Sequence, residues 1–100
     1  MRGDPPGWHD LILEYTDKMR ALGAISFYTK EKYGALVIES IEYTPGADVK
    51  GIQRLVEEAE ILSECICQDC GEPGKEEKIS DWILTLCANC ADSRRSKSYK

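Results

Sequence analysis

Cys67-Gln68-Asp69-Cys70 and Cys87-Ala88-Asn89-Cys90 are two CxxC pairs separated by sixteen residues. Each pair can close a tight turn that aims two thiolates at one ion. Two such knuckles supply four sulfurs at tetrahedral angles, the geometry zinc takes in structural sites. Gly71 suits the first knuckle, because the backbone after the second cysteine often needs a positive φ that glycine adopts without strain. The spacing predicts one structural Zn²⁺ per chain on Cys67, Cys70, Cys87 and Cys90. Iron in a rubredoxin-like four-sulfur site is the competing reading. The short gap between the pairs and the lack of a glycine after Cys90 count against it.

Five cysteines in a short chain also fit a disulfide framework. The opening residues, Met1-Arg2-Gly3-Asp4-Pro5-Pro6, contain no apolar h-region, so the expected compartment is the cytoplasm rather than an oxidising one. There the same spacing reads as a metal site. The fifth cysteine, Cys65, is expected to be a small buried side chain at the end of the preceding helix.

Upstream of the first knuckle, Val49, Ile52, Leu55, Val56, Ala59 and Leu62 recur at helical spacing and predict a buried stripe. Glu57, Glu58, Glu60 and Glu64 make the opposite face acidic. Thr44-Pro45-Gly46-Ala47-Asp48 precedes this helix, with Asp48 or Thr44 as its cap. Further back, Ala24–Thr29 and Ala35–Tyr43 are rich in β-branched and aromatic residues and read as two strands. The polar segment Lys30-Glu31-Lys32-Tyr33-Gly34 joins them into a hairpin. Trp8, Leu11, Ile12, Tyr15, Met19 and Leu22 mark an amphipathic helix over about residues 7–22, stopped at Gly23.

Between the knuckles, residues 72–81 read as a polar loop and Trp82-Ile83-Leu84-Thr85-Leu86 as a strand running into Cys87. Trp82 is expected to be at least half buried, packing this ribbon against the second helix. After Cys90 no apolar periodicity remains, and the tail is expected to be disordered. The fold class is therefore α+β: helix, β-hairpin and helix over 1–64, a four-cysteine zinc ribbon over 65–91, and a flexible basic tail over 92–100. A lone hairpin is marginal in water, so both faces of residues 24–43 are expected to be covered. The ribbon strand is the favoured cover and the same hairpin of a second chain the alternative, which makes a monomer the expectation over a homodimer.

Several stretches resemble a family of small, largely uncharacterised bacterial and phage proteins. The matching residues are Gly7-Trp8, Lys30-Glu31-Lys32-Tyr33-Gly34, Glu57-Glu58-Ala59-Glu60, Cys67-x-x-Cys70-Gly71-Glu72-Pro73-Gly74 and Trp82-Ile83-Leu84-Thr85-Leu86-Cys87. They run in collinear order over nearly the whole chain. Cys90 stands where that family usually carries histidine, and Ala35 where it usually has a second glycine. The resemblance implies the fold and the ligands. It implies no activity.

Charge narrows the function classes. The formal net charge is −5, yet Arg94, Arg95, Lys97 and Lys100 fall in the last seven residues with no acid among them. The first 93 residues therefore carry nine basic against eighteen acidic groups. Four thiolates on one Zn²⁺ add two further negative charges. Attraction of a polyphosphate to such a body is disfavoured. The single histidine, His9, has no nucleophilic partner in sequence, and a closed four-sulfur site offers water no coordination position, so no enzyme is expected. No apolar run is long enough to span a membrane. The leading expectation is a protein-interaction module. A phage or mobile-element accessory protein that docks an acidic surface (Glu57, Glu58, Glu60, Glu64) on a host protein is its sharper form. The alternative is a nucleic-acid-binding ribbon that uses Arg94, Arg95, Lys97 and Lys100.

Overall fold

A computed structural model describes residues 5–98, and its elements are those of an α+β protein. A 3-10 turn, Pro6–Trp8, leads into α1 (His9–Ala21). Strands β1 (Ala24–Lys32) and β2 (Ala35–Tyr43) form an antiparallel hairpin. Helix α2 (Val49–Ser63) follows, then a second antiparallel hairpin of β3 (Lys75–Ile79) and β4 (Trp82–Leu86), and a closing helix α3 (Ala88–Ser98). The two hairpins remain separate two-stranded sheets.

Two cores lie in succession. Trp8, Leu11, Tyr15 and Met19 project from the start of the chain and α1 onto Leu36 and Ile38 of β2 and onto Ile52 and Ala59 of α2. The second, smaller core gathers Cys67, Ile79, Leu84, Leu86 and Ala91. A hundred-residue chain around a single core has a radius of gyration of about 13 Å; this molecule measures 14.9 Å, with extents of 52 × 24 × 17 Å. The added length is the ribbon set against the helical body.

The first hairpin departs from expectation in its turn. Strand β1 continues through Lys32, leaving only Tyr33-Gly34 as a two-residue connection, with Lys32 opposite Ala35. Both turn residues have positive φ, +54° and +82°, as the tight turns that match strand twist require. Leu36 and Ile38 face the core, and Ser63 of α2 closes the edge. Its buried hydroxyl accepts from the Leu36 amide at 2.8 Å and donates to the Glu60 carbonyl at 2.6 Å. The outer face is open, carrying Ile25, Tyr28 and a Lys30–Glu39 ion pair of 2.9 Å. The expectation that the ribbon strand covers this face is thus corrected: among the described residues β4 meets the hairpin at its turn, through Gly34.

Helix α2 is capped as expected, with Asp48 Oδ1 accepting from the Gly51 amide at 3.0 Å. Its stripe is narrower than the sequence suggests, because Val49 and Leu62 are exposed while Ile52, Ala59 and Ser63 are buried. Cys65, expected to be buried, is exposed just beyond the helix. Lys75–Ile79, read as loop, is strand β3, paired with β4 and anchored by buried Ile79. The tail expected to be disordered is helical through Ser98. Among its described residues only Ala91 is a fully buried apolar group, which is why no periodicity betrays the helix.

The halves are fastened at two points. The Gly7 amide donates to the Gln68 carbonyl at 2.8 Å, and the Trp8 indole Nε1 donates to the Ile66 carbonyl at 2.9 Å. Gly7 has no room for a side chain: a Cβ there would collide with the Cys67 carbonyl and lie 2.6 Å from the Gly71 amide nitrogen. At the second point the Thr85 hydroxyl donates to the Gly34 carbonyl at 2.6 Å. Gly34 lies so close to the Leu84–Thr85 backbone that a Cβ would sit 3.1 Å from the Leu84 carbonyl carbon. The fastening expected of Trp82 is therefore done by Trp8. Trp82 itself is 70% exposed.

Candidate metal centre

The first knuckle forms where the chain leaves α2 and folds back on itself. The Gly71 amide donates to the Cys67 carbonyl at 2.9 Å, and the Cys67 amide donates to the Glu72 carbonyl at 2.7 Å. Gly71 takes φ +87°, the conformation expected of it. The second knuckle is the junction of β4 with α3. Cys87 ends the strand, Cys90 sits in the first turn of the helix, and the Cys90 amide points at the Cys87 sulfur at 3.5 Å.

Gln68 joins the two, and its role was not legible from composition or spacing. Its amide donates to the Thr85 carbonyl at 2.9 Å, and its side-chain Oε1 accepts from the Thr85 amide at 3.0 Å. A buried glutamine thus imitates a strand and holds the first knuckle beside β4, just upstream of the second.

All four predicted ligand sulfurs converge. Cys67, Cys70, Cys87 and Cys90 place their Sγ atoms within 4.8 Å of one another, and the Cys70–Cys87 separation is 3.6 Å. An ion bound by four sulfurs at ~2.3 Å has S–S edges of ~3.8 Å, so the cluster is of the right size for one metal ion. None of the five cysteines is in a disulfide.

The protonation pattern of the thiols fits the same conclusion. Burial opposes ionisation of Cys67, but backbone hydrogen bonds from Cys87, Cys70 and Asp69 outweigh it and bring the thiol down to about 7. Cys90 is pushed well up, first by its hydrogen bond with Cys87, then by burial and by the other sulfurs. At Cys70 the Glu72 backbone hydrogen bond favours the thiolate, yet desolvation and contacts with Cys67 and Cys87 raise it. One sulfur ionises readily and its neighbours then resist further negative charge. One metal ion among the four sulfurs would supply the missing countercharge, and its binding would release the remaining protons.

A clamp surrounds this group. Arg94 of α3 reaches back to Asp69 inside the first knuckle, Nε and Nη2 donating to the two carboxylate oxygens at 2.7 and 2.8 Å. Its neighbour Arg95 pairs with Glu77 of β3 at 2.9 Å. Hydrogen bonding to Asp69 holds the Arg94 guanidinium further above its ordinary value. Paired geometry of this kind adds orientation as well as energy. An acid inside a CxxC and an arginine soon after the second pair is the sequence signal for it, one obscured by reading Arg94 as tail.

The other predicted residues are not brought to this centre. Glu57, Glu60 and Glu64 lie exposed along one line of α2, while Glu58 turns toward α1 and accepts from the Tyr15 hydroxyl at 3.2 Å. Of the four basic residues assigned to nucleic acid, Arg94 and Arg95 are engaged in the ribbon; the Lys97 side chain and Lys100 lie outside the described residues. No described helix is long and apolar enough to cross a membrane. No family model, curated protein or solved structure matches the chain.

Proposed function

We propose that the chain is a non-enzymatic zinc-ribbon module that docks on a protein partner, with Zn²⁺ on Cys67, Cys70, Cys87 and Cys90 as its structural staple. Four thiolates suit zinc, and they fill a tetrahedral ion's coordination, leaving no position for a reacting water. Thiols kept for metal rather than paired as disulfides suit a reducing compartment, the cytoplasm. One observation carries the interaction reading. The described arginines of the C-terminal segment fold back onto Asp69 and Glu77, while Glu57, Glu60 and Glu64 stay exposed on α2. The surface left for a partner is acidic, so electrostatic complementarity selects a basic protein surface and speeds its encounter. A monomeric accessory protein acting on a basic, nucleic-acid-binding host protein is the form this takes.

The same ion pairs weigh against direct nucleic-acid binding, because a guanidinium held by a carboxylate is largely neutralised and attracts a phosphate less. Gel-shift titration at low salt with duplex and single-stranded DNA, run beside titration with a lysine- and arginine-rich protein, tests the reading. The basic protein should bind with a salt-dependent affinity and the DNA should not shift. DNA binding without binding of the basic protein overturns the reading.

A further inference from the structure

Tyr33 and Trp82 are the most exposed large apolar residues among those described, at 75% and 70%. They come from different hairpins, yet both line one concavity of about 560 Å³, together with Glu31, Lys32, Asp81 and Ile83. Neither ring is placed there by folding. Tyr33 occupies a left-handed turn position, φ +54°, where asparagine or glycine sits with less strain, and its ring contributes little to a core. Trp82 follows a two-residue turn whose Ser80 is also left-handed, φ +55°, and its indole leaves the ribbon core to Leu84 and Leu86.

The cleft between them is preformed. The Thr85 hydroxyl bond to the Gly34 carbonyl, and the close approach of Gly34 to the Leu84–Thr85 backbone, fix one turn against the other strand. A ligand entering it has no hairpins to order first, which removes a principal cost of binding. Its chemistry selects for a cation. Two aromatic faces carry negative quadrupoles, and the carboxylates of Asp81 and of Glu31, whose Oε2 also accepts from the Gly34 amide at 2.8 Å, outnumber the ammonium of Lys32. A planar, weakly hydrated guanidinium, which stacks on aromatic rings and pairs with carboxylates, suits this lining better than a compact ammonium does. A phosphate backbone would meet the same carboxylates unfavourably.

We infer that the cleft between the two hairpin turns is a docking site for a basic segment of a partner protein, taking an arginine side chain against Tyr33 and Trp82 with Glu31 and Asp81 as countercharges. This deepens the interaction reading, on which it rests, and moves the specific contact from the acidic line of α2 to the cleft.

The test uses the zinc-loaded full chain and a fluorescein-labelled peptide of alternating arginine and glycine. Fluorescence anisotropy reads binding, and acrylamide quenching reads Trp82, since Trp8 is fully buried. The peptide should bind and shield Trp82, while the same peptide with glutamate for arginine should not. Tyr33→Asn suits the left-handed turn and so retains the fold. It and Trp82→Ala should each weaken binding about twofold to thirtyfold, the range for a cation held on an aromatic face. Charge reversal at Glu57, Glu60 and Glu64 should slow association and weaken binding less than either ring substitution at moderate salt, with Trp82 still shielded in the bound state. If instead that reversal abolishes binding and both ring variants bind normally, the cleft is refuted and the interaction reading stands. Absence of peptide binding to any form overturns both. An oligothymidylate that shields Trp82 at lower concentration than the peptide, or a dimer in light scattering that Trp82→Ala dissociates, overturns the cleft in favour of nucleic acid or of a second copy.

Discussion

The helical body and the ribbon solve the same problem, ordering a short chain, with different chemistry. The body buries Trp8, Leu11, Tyr15, Met19, Leu36, Ile38 and Ile52 between two helices and a hairpin. The ribbon has Ile79, Leu84, Leu86 and Ala91, with Cys67 of the four-cysteine cluster among them. Apolar burial stabilises by roughly 25 cal/mol per Å², so the larger apolar core favours the body. The ribbon lacks the area and relies on polar devices: four converging thiols, the Gln68–Thr85 pair and the Arg94–Asp69 clamp. Where a core is large, periodicity in the sequence reveals it. Where ligands and hydrogen bonds do the ordering, single residues matter and periodicity is silent.

Removing the metal is the strongest way to separate the halves. Binding to such sites is worth on the order of 10–16 kcal/mol in finger-sized peptides, against about 5–15 kcal/mol for a whole domain. Chelation should therefore unfold β3, β4 and α3 while leaving α1, the first hairpin and α2 protected in hydrogen exchange. Elemental analysis of native protein should find one metal ion per chain, and Cys67→Ser should abolish it. Loss of protection throughout the chain would break the comparison and make the two halves one cooperative unit.

The joint between them is the next test. Trp8 is fully buried and its indole holds the Ile66 carbonyl at the entrance to the first knuckle. Trp8→Ala should cost about 3–5 kcal/mol in denaturant unfolding, from the cavity and the lost bond. The loss falls on the body, so a zinc-loaded ribbon should retain its metal in this variant. Release of the metal would show that the ribbon depends on the body as well as on its ion.

This division explains what could be read from the sequence. The four ligands, the helices α1 and α2, the Asp48 cap and the first hairpin all follow from spacing, periodicity or turn chemistry, which are local. Strand β3 could not be read from Lys75-Glu76-Glu77-Lys78, since its only apolar anchor is Ile79 and its order comes from pairing with β4. Helix α3 hid for the same reason, tied down by Arg94 and Arg95 rather than by an apolar stripe. Trp82 misled because its neighbours Leu84 and Leu86 are core, and strand alternation alone does not say whether the first residue after a turn is covered.

Trp82 gives the smallest expected effect and the one that sharpens the comparison most. A tryptophan in a small metal-stapled unit ordinarily anchors its core, and truncating a buried one costs about 3–5 kcal/mol. Here the indole stands mostly in solvent and its removal opens no cavity. Trp82→Ala should change the stability of the zinc-loaded protein by no more than about 0.5 kcal/mol, as surface substitutions do. The same unfolding measurement made on Trp8→Ala supplies the contrast between two tryptophans of one chain. A loss approaching that of Trp8→Ala would mean that the indole covers the ribbon in solution, and the cleft beside Tyr33 would then not be open to a ligand. A near-zero change is what the proposed cleft requires: an indole that folding leaves exposed.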